Sequence, residues 1–333
     1  MVDLGDLGGG YSQARAINAL GQVAGEGLLA NTVVQHAVSW QAGSISDLGT
    51  LGGDNSRALT INDKGVIGGW AQNGAGVTQA ALWTGSGVTA LPTLGGPAGT
   101  VWGINGAGTA VGNSDLSSGA NHATIWNANG AQDLGTLGGE YSVAYSINNQ
   151  GVVVGTGFDA SGKDRACLWG STAPVDLGNL SGGLWTAARE INDSGQVILW
   201  GTPQGVADDH AAFWNGDPAS QVIDLGTLGG SQSWAYGLNN AGDVVGWASE
   251  SDGTYHAFVW NGTTMTDLGT LGGAYSSAYA INDQGVIVGD AMDSSGALHA
   301  VEWVPAGVPE PLSGVLFAGG AFGLWVLRRR GGR

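Results

Sequence analysis

The chain has 333 residues, with charge scarce at 11% against 43% hydrophobic residues, 63 glycines and 14 tryptophans. That is too apolar for a disordered glycine-rich chain, and the glycines lack the strict triplet of collagen. Before Pro309, six basic residues (Arg15, Arg57, Lys64, Lys163, Arg165 and Arg189) face 26 acidic ones, a body charge of −20 that repels phosphate backbones and argues against a nucleic-acid partner.

Cys167 is the only cysteine, which excludes an intramolecular disulfide and a cysteine-rich metal site. No basic segment followed by an apolar one precedes Asp3. A secretory leader is therefore missing, and the expectation is a misassigned start or a fragment.

In chain order, one phrase recurs seven times: DLGDLGG from Asp3, DLGTLGG from Asp47, ALPTLGG from Ala90, DLGTLGG from Asp133, DLGNLSG from Asp176, and DLGTLGG from Asp224 and Asp267. The spacings are 44, 43, 43, 43, 48 and 43 residues. After each phrase a first strand runs to an Ile-Asn or Leu-Asn pair at Asn18, Asn62, Asn105, Asn148, Asn192, Asn239 and Asn282, and a glycine follows three residues later. Asn and Gly both tolerate positive φ, so this predicts a tight hairpin. A second, Val-rich strand follows, as at Gly151 to Gly155, apolar on both faces. The third carries Trp in every unit, at Trp40, Trp83, Trp126, Trp169, Trp214, Trp260 and Trp303. The next DLG segment supplies the fourth strand.

Four strands in about 43 residues is the period of a propeller blade. The prediction is all-β: a seven-bladed β-propeller of four-stranded blades over residues 1–304. Its last unit lacks a DLG strand, while the chain begins with one, so Val2 to Asp6 is expected to pair beside His299 to Trp303 and close the ring. The fifth unit is irregular, with Leu199 in place of the glycine seen at Gly155 and Gly246 and with extra residues around it.

The phrases DLGTLGG, INDQGVIVG and HAFVW, at constant mutual spacing, resemble the HAF repeat family of extracellular bacterial proteins, named from a His-Ala-Phe such as His256 to Phe258. The resemblance implies an architecture rather than a reaction. Residues 305–333 resemble a PEP-CTERM sorting signal: Pro309-Glu310-Pro311, an apolar span over 312–327, and a basic end over 328–333 with Arg328, Arg329 and Arg330. Sixteen apolar or small residues fall short of the roughly 20 that cross a bilayer comfortably, which suits a short C-terminal hydrophobic helix acting as a transient inner-membrane anchor. The arginines would stay cytoplasmic and leave the propeller outside. By the resemblance, an exosortase-type membrane transpeptidase would process the tail; an ordinary single-span tail anchor is the alternative.

All five histidines (His36, His122, His210, His256 and His299) occupy one repeat position, which spreads them around a ring too wide to share one ion; a repeated hydrogen bond at the blade rim is expected. The repeated Asp suits turn capping better than calcium binding. No metal, cofactor or catalytic residue is predicted. Three residues before each hairpin Asn stand Arg15, Leu59, Trp102, Tyr145, Arg189, Tyr236 and Tyr279. If these face the channel mouth they form an aromatic and arginine ring suited to glycans, the alternative being packing between blades.

The expected role is that of an exported cell-surface or matrix scaffold, not an enzyme, associated with extracellular polysaccharide or another envelope component. A lectin-like module with a defined pocket at the ring is the first alternative. A glycan hydrolase using Glu190, with Asp208 and Asp209 in the irregular fifth unit, is the second; such chemistry needs two carboxylates facing one pocket.

Overall fold

The structure, a computed structural model, describes residues 2–170, 173–183, 185–217 and 220–305. The tail, with Pro309, Glu310, Pro311, Arg328, Arg329, Arg330 and the expected apolar helix, lies outside them. Among the described residues no helix is long and apolar enough to cross a membrane.

The described residues are all-β, with one 3-10 turn at Leu180–Gly182. Strands pair in consecutive antiparallel four-strand sets, here numbered along the chain. The first set is Gly8–Ile17, Val23–Leu29, Gln35–Gln41 and Ser44–Asp47. The fourth is Gly138–Ile147, Val153–Asp159, Asp164–Trp169 and Val175–Asp176. The sixth is Gly229–Leu238, Val244–Glu250, Tyr255–Trp260 and Met265–Asp267. In the fifth the innermost strand shortens to Thr186–Ile191, after the 3-10 turn.

The last set, Gly272–Ile281, Ile287–Asp293 and Leu298–Trp303, takes Val2–Asp3 as its fourth strand, with Val2 opposite Glu302 and Asp3 opposite Val301. The Leu4 N–H then donates to the Ala300 carbonyl at 2.9 Å. Strand pairing thus ends one residue past Val2, and Leu4 continues it by a single bond.

Apolar cores lie between neighbouring sets. One joins Ala14, Ile17, Val38 and Trp40 of the first set to Val286, Val288 and Ala300 of the last. A polar clamp crosses several of the same seams: the Ala37 N–H donates to Ser56 Oγ at 2.9 Å, Ala123 to Ser142 at 2.9 Å, Ala257 to Ser276 at 2.9 Å, and Ala300 to Ser12 at 3.3 Å.

The hairpin asparagines do something the sequence reading did not assign. Positive φ falls on the glycine three residues later, as at Gly21 and Gly151, and not on the asparagines. Each Asn Oδ1 instead accepts the N–H groups two and four residues on; for Asn148 these are Gln150 at 3.1 Å and Val152 at 2.9 Å. Each Nδ2 donates to the carbonyl of the next set's Asn: Asn18 to Asn62, and on through Asn105, Asn148, Asn192, Asn239 and Asn282, which returns to Asn18 at 3.3 Å. A closed circle of side-chain bonds therefore surrounds the axis, buried where an unpaired amide would be costly.

Candidate functional site

The innermost strand of every set contains a register shift: between Ala14 and Ala16, Ala58 and Thr60, Val101 and Gly103, Ala144 and Ser146, Ala188 and Glu190, Ala235 and Gly237, and Ala278 and Ala280. The residue skipped each time is the ring residue of the sequence analysis. A bulge leaves one residue out of the ladder and re-aims its side chain. Arg15, Leu59, Trp102, Tyr145, Arg189, Tyr236 and Tyr279 consequently line one central cavity, together with Glu190.

The ring residues also touch one another. Tyr145 meets Trp102 edge-on at 5.6 Å, Tyr236 meets Tyr279 at 5.2 Å, and the Arg189 guanidinium lies over both Tyr145 (5.1 Å) and Trp102 (5.7 Å). Arg15 lies over Tyr279 at 4.8 Å. Lining a cavity and packing across the seams are therefore compatible for these side chains. Below them Ile17, Ile61, Ile104, Ile147, Ile191 and Ile281 form an apolar collar shared with a second cavity on the hairpin side, which Leu238 also lines. That second mouth is lined by Asp63, Asn149, Asp193, Asn240 and Asp283.

For four of the ring residues, Arg15, Trp102, Tyr236 and Tyr279, the side chain eleven residues on forms a second layer that bonds to it. Arg15 pairs with fully buried Glu26 at 2.9 Å, and Arg57 Nε stands 3.3 Å from the same carboxylate. Burial alone would lower Arg15, but Glu26 beside it outweighs this and holds the guanidinium above its ordinary range. Trp102 Nε1 donates to Asn113 Oδ1 at 2.7 Å, and Trp247 Nε1 to the Tyr236 hydroxyl at 3.3 Å. Tyr279 reaches Asp290 at 3.4 Å, and Gln13 donates to both Tyr279 (2.8 Å) and Asp290 (2.5 Å). Burial pushes the Asp290 carboxyl up to about 6 against the pull of Gln13 and Arg15. Burial likewise raises Tyr145 and Tyr279, so both phenols stay neutral donors.

Glu190 accepts the Leu238 N–H at 2.9 Å, and burial pushes it up to about 7 despite Arg189 and that bond. Asp208 and Asp209 are not brought to it. Asp208 accepts from Gln232 at 3.0 Å and Asp209 from Thr202 at 2.7 Å, and neither lines the cavity.

An aromatic surface continues outward from Tyr236 over the fifth and sixth sets. Trp234 lies 6.4 Å from Tyr236 and 3.9 Å from Trp200, which meets Trp185 at 5.5 Å. Trp234 also stacks with Trp247 at 6.1 Å, and Trp247 meets Tyr255 at 5.1 Å. The sequence reading missed this patch. Its signal was present in four tryptophans outside the repeated third-strand position.

The histidines join the repeated aspartates within each set. His36, His122 and His210 contact both carboxylate oxygens of Asp47, Asp133 and Asp224 at 2.8–3.0 Å. The same aspartates accept the N–H two residues on, as Asp47 does from Gly49 at 2.8 Å.

No protein-family profile matches the chain, and no curated protein does. Solved structures do. The β-propeller domain of the Trilobed protease from Pyrococcus furiosus superposes with TM-score 0.57 at 10% identity, over 88% of this chain and 95% of that one. The BP39L lectin from Burkholderia pseudomallei gives 0.51 at 14%, over 89% and 95%. A puromycin-hydrolyzing peptidase of Mycobacterium tuberculosis gives 0.56 at 10%, over 92% of this chain and 56% of that one. At such identities the likeness establishes the fold alone: this chain is a β-propeller.

Proposed function

We propose that this chain is a closed seven-bladed, non-catalytic binding propeller whose central ring takes a glycan. The observation that carries the reading is the bulge repeated in each innermost strand, which turns aromatic and arginine side chains into one cavity instead of leaving them in the ladder. Flat aromatic faces stack on the apolar faces of sugars, and guanidinium and phenol groups hydrogen-bond their hydroxyls. Tyr145 and Tyr279 offer neutral phenols, Tyr236 a further aromatic face, and Arg189 the cation for an acidic sugar.

Hydrolysis of a glycan would need a second carboxylate beside Glu190. Glu190 is the sole carboxylate among the cavity-lining residues, which supports binding without cleavage. On the residues of the tail, the protein is exported, held briefly at the inner membrane, cut near Pro309-Glu310-Pro311 by an exosortase-type transpeptidase and retained at the cell surface or in the matrix, where polysaccharide is the ligand at hand. An intact mass of protein recovered from its native envelope reads this directly: loss of the residues after that motif supports it, and an uncut C-terminus contradicts it.

The binding reading is tested by calorimetry against neutral and uronic-acid oligosaccharides. Tyr145→Ala and Tyr236→Ala should each weaken binding by about tenfold, the worth of roughly one aromatic contact, when read at a temperature where both variants remain folded despite the lost seam packing. Binding untouched by both, or glycan cleavage that disappears in Glu190→Gln, would overturn it.

A further inference from the structure

We infer that the rim of the sixth set is a binding site for one divalent transition cation, held by Glu250, His256 and Asp267. One donor atom from each of these side chains lies within 4.8 Å of the other two. In a tetrahedral site with bonds of about 2.1 Å the donors stand roughly 3.4 Å apart, so side-chain rotations that move the donors by about an ångström would close the site. One imidazole nitrogen and two carboxylate oxygens suit zinc or a neighbouring transition ion, with water completing the shell. A neutral imidazole and two carboxylates carry two negative charges, which such an ion balances.

The site stands out because it breaks the repeat. At the equivalent position of three other rim hairpins the side chain caps its own turn: Asn73 accepts from Ala75 and Val77, Asp159 from Ser161 and Lys163, and Asp293 from Ser295 and Ala297, all at 2.8–3.1 Å, while Leu29 and Leu116 hold it in the first and third sets. Glu250 begins the same hairpin, with its N–H bonded to the Thr254 carbonyl at 2.9 Å. Its extra methylene takes the carboxylate past the cap position, and Asp252 caps the turn instead, accepting the Thr254 N–H at 2.9 Å. The Glu250 carboxylate is thereby released toward His256.

The histidine responds in the same sense. His36, His122 and His210 each contact both oxygens of their aspartate, whereas His256 contacts only Oδ2 of Asp267, at 3.1 Å. In the last set, His299 is already spanned by Asp3 and Asp293, both at 3.2 Å, and Asp293 remains committed to its turn. In the fourth set Arg165 replaces histidine and pairs with Asp159 at 3.1 Å, a fixed cation at the position where the sixth set would take an exchangeable one.

Isothermal titration of Zn²⁺ into the full chain, with excess Ca²⁺ present to occupy nonspecific acidic surface, tests this. One saturable equivalent is expected, weakened by at least about tenfold in Glu250→Gln and in His256→Gln, and unchanged in His36→Gln, whose pair lacks the third donor. Glu250 is half-buried at the rim, so its variant remains informative should His256→Gln fail to fold. Absence of a one-to-one site, a site unaffected by Glu250→Gln, or equal loss in His36→Gln would overturn the assignment.

Discussion

Asp290 illustrates how one side chain couples the cavity to solution conditions. It is fully buried behind Tyr279, and burial raises its carboxyl from 3.8 to about 6. The folded protein therefore holds this proton more tightly than the unfolded chain. The stability it contributes is complete below a pH of about 3.8 and is lost as pH rises through about 6. A shift of that size is worth about 2–3 kcal/mol. Glu190, raised to about 7, acts in the same direction. The urea midpoint should fall between about pH 4 and pH 7, and should fall less in Asp290→Asn, which keeps the shape without the titration; equal slopes in the two proteins would contradict this. Residue identities at the ring were legible because each stands at a fixed distance from a hairpin Asn. Asp290 and Glu26 were not, because the second layer becomes visible only once strand register places residue i beside i + 11.

The innermost strand is the element that makes the cavity, and its bulge has a glycine signature on the adjacent strand. A Cβ on Gly155 would lie 2.0 Å from the Val143 carbonyl oxygen, and the same overlap arises at Gly25, Gly112, Gly246 and Gly289. At these positions the second strand passes close beside the bulge, whereas the fifth set makes the same bulge with Leu199 opposite Ala188, so the close approach accompanies the bulge without being required for it. Gly155→Ala should therefore cost about 1–3 kcal/mol in denaturant unfolding, whereas Gly162→Ala, at an exposed turn tip with open space, meets only the φ penalty of about 1 kcal/mol. Equal costs would contradict the close-approach account. Strand order and hairpin glycines could be read from spacing and turn chemistry, including the glycine three residues after each Asn. The bulge could not, since a strand with one extra residue keeps the same length in sequence. The asparagines were read as turn residues only, because a bond from one repeat to the next has no local sequence signal.

Closure decides whether the whole molecule behaves as a ring or as an open row of sheets. Val2–Asp3 completes the last sheet, Leu4 and Leu7 pack on the seam core, and the Gly5 carbonyl accepts Trp40 Nε1 at 3.3 Å, so residues 2–7 bind the first and last sets together. Deleting Met1 to Gly8 should lower the melting temperature by about 5–10 °C; an unchanged value would contradict closure by this strand. The unpaired third and fourth strands at the two chain ends announced this pairing in the sequence. The asymmetry of the ring did not appear there as a surface: arginine, glutamate and aspartate gather where the last set meets the first, while tryptophans gather over the fifth and sixth.

A crystal structure of the protein with its best-binding oligosaccharide would show whether the bulged ring is the ligand site. The expected result is a sugar ring stacked on Tyr145 or Tyr236 with a hydroxyl or carboxylate on Arg189. A sugar bound elsewhere, with the central cavity holding only solvent, would contradict it.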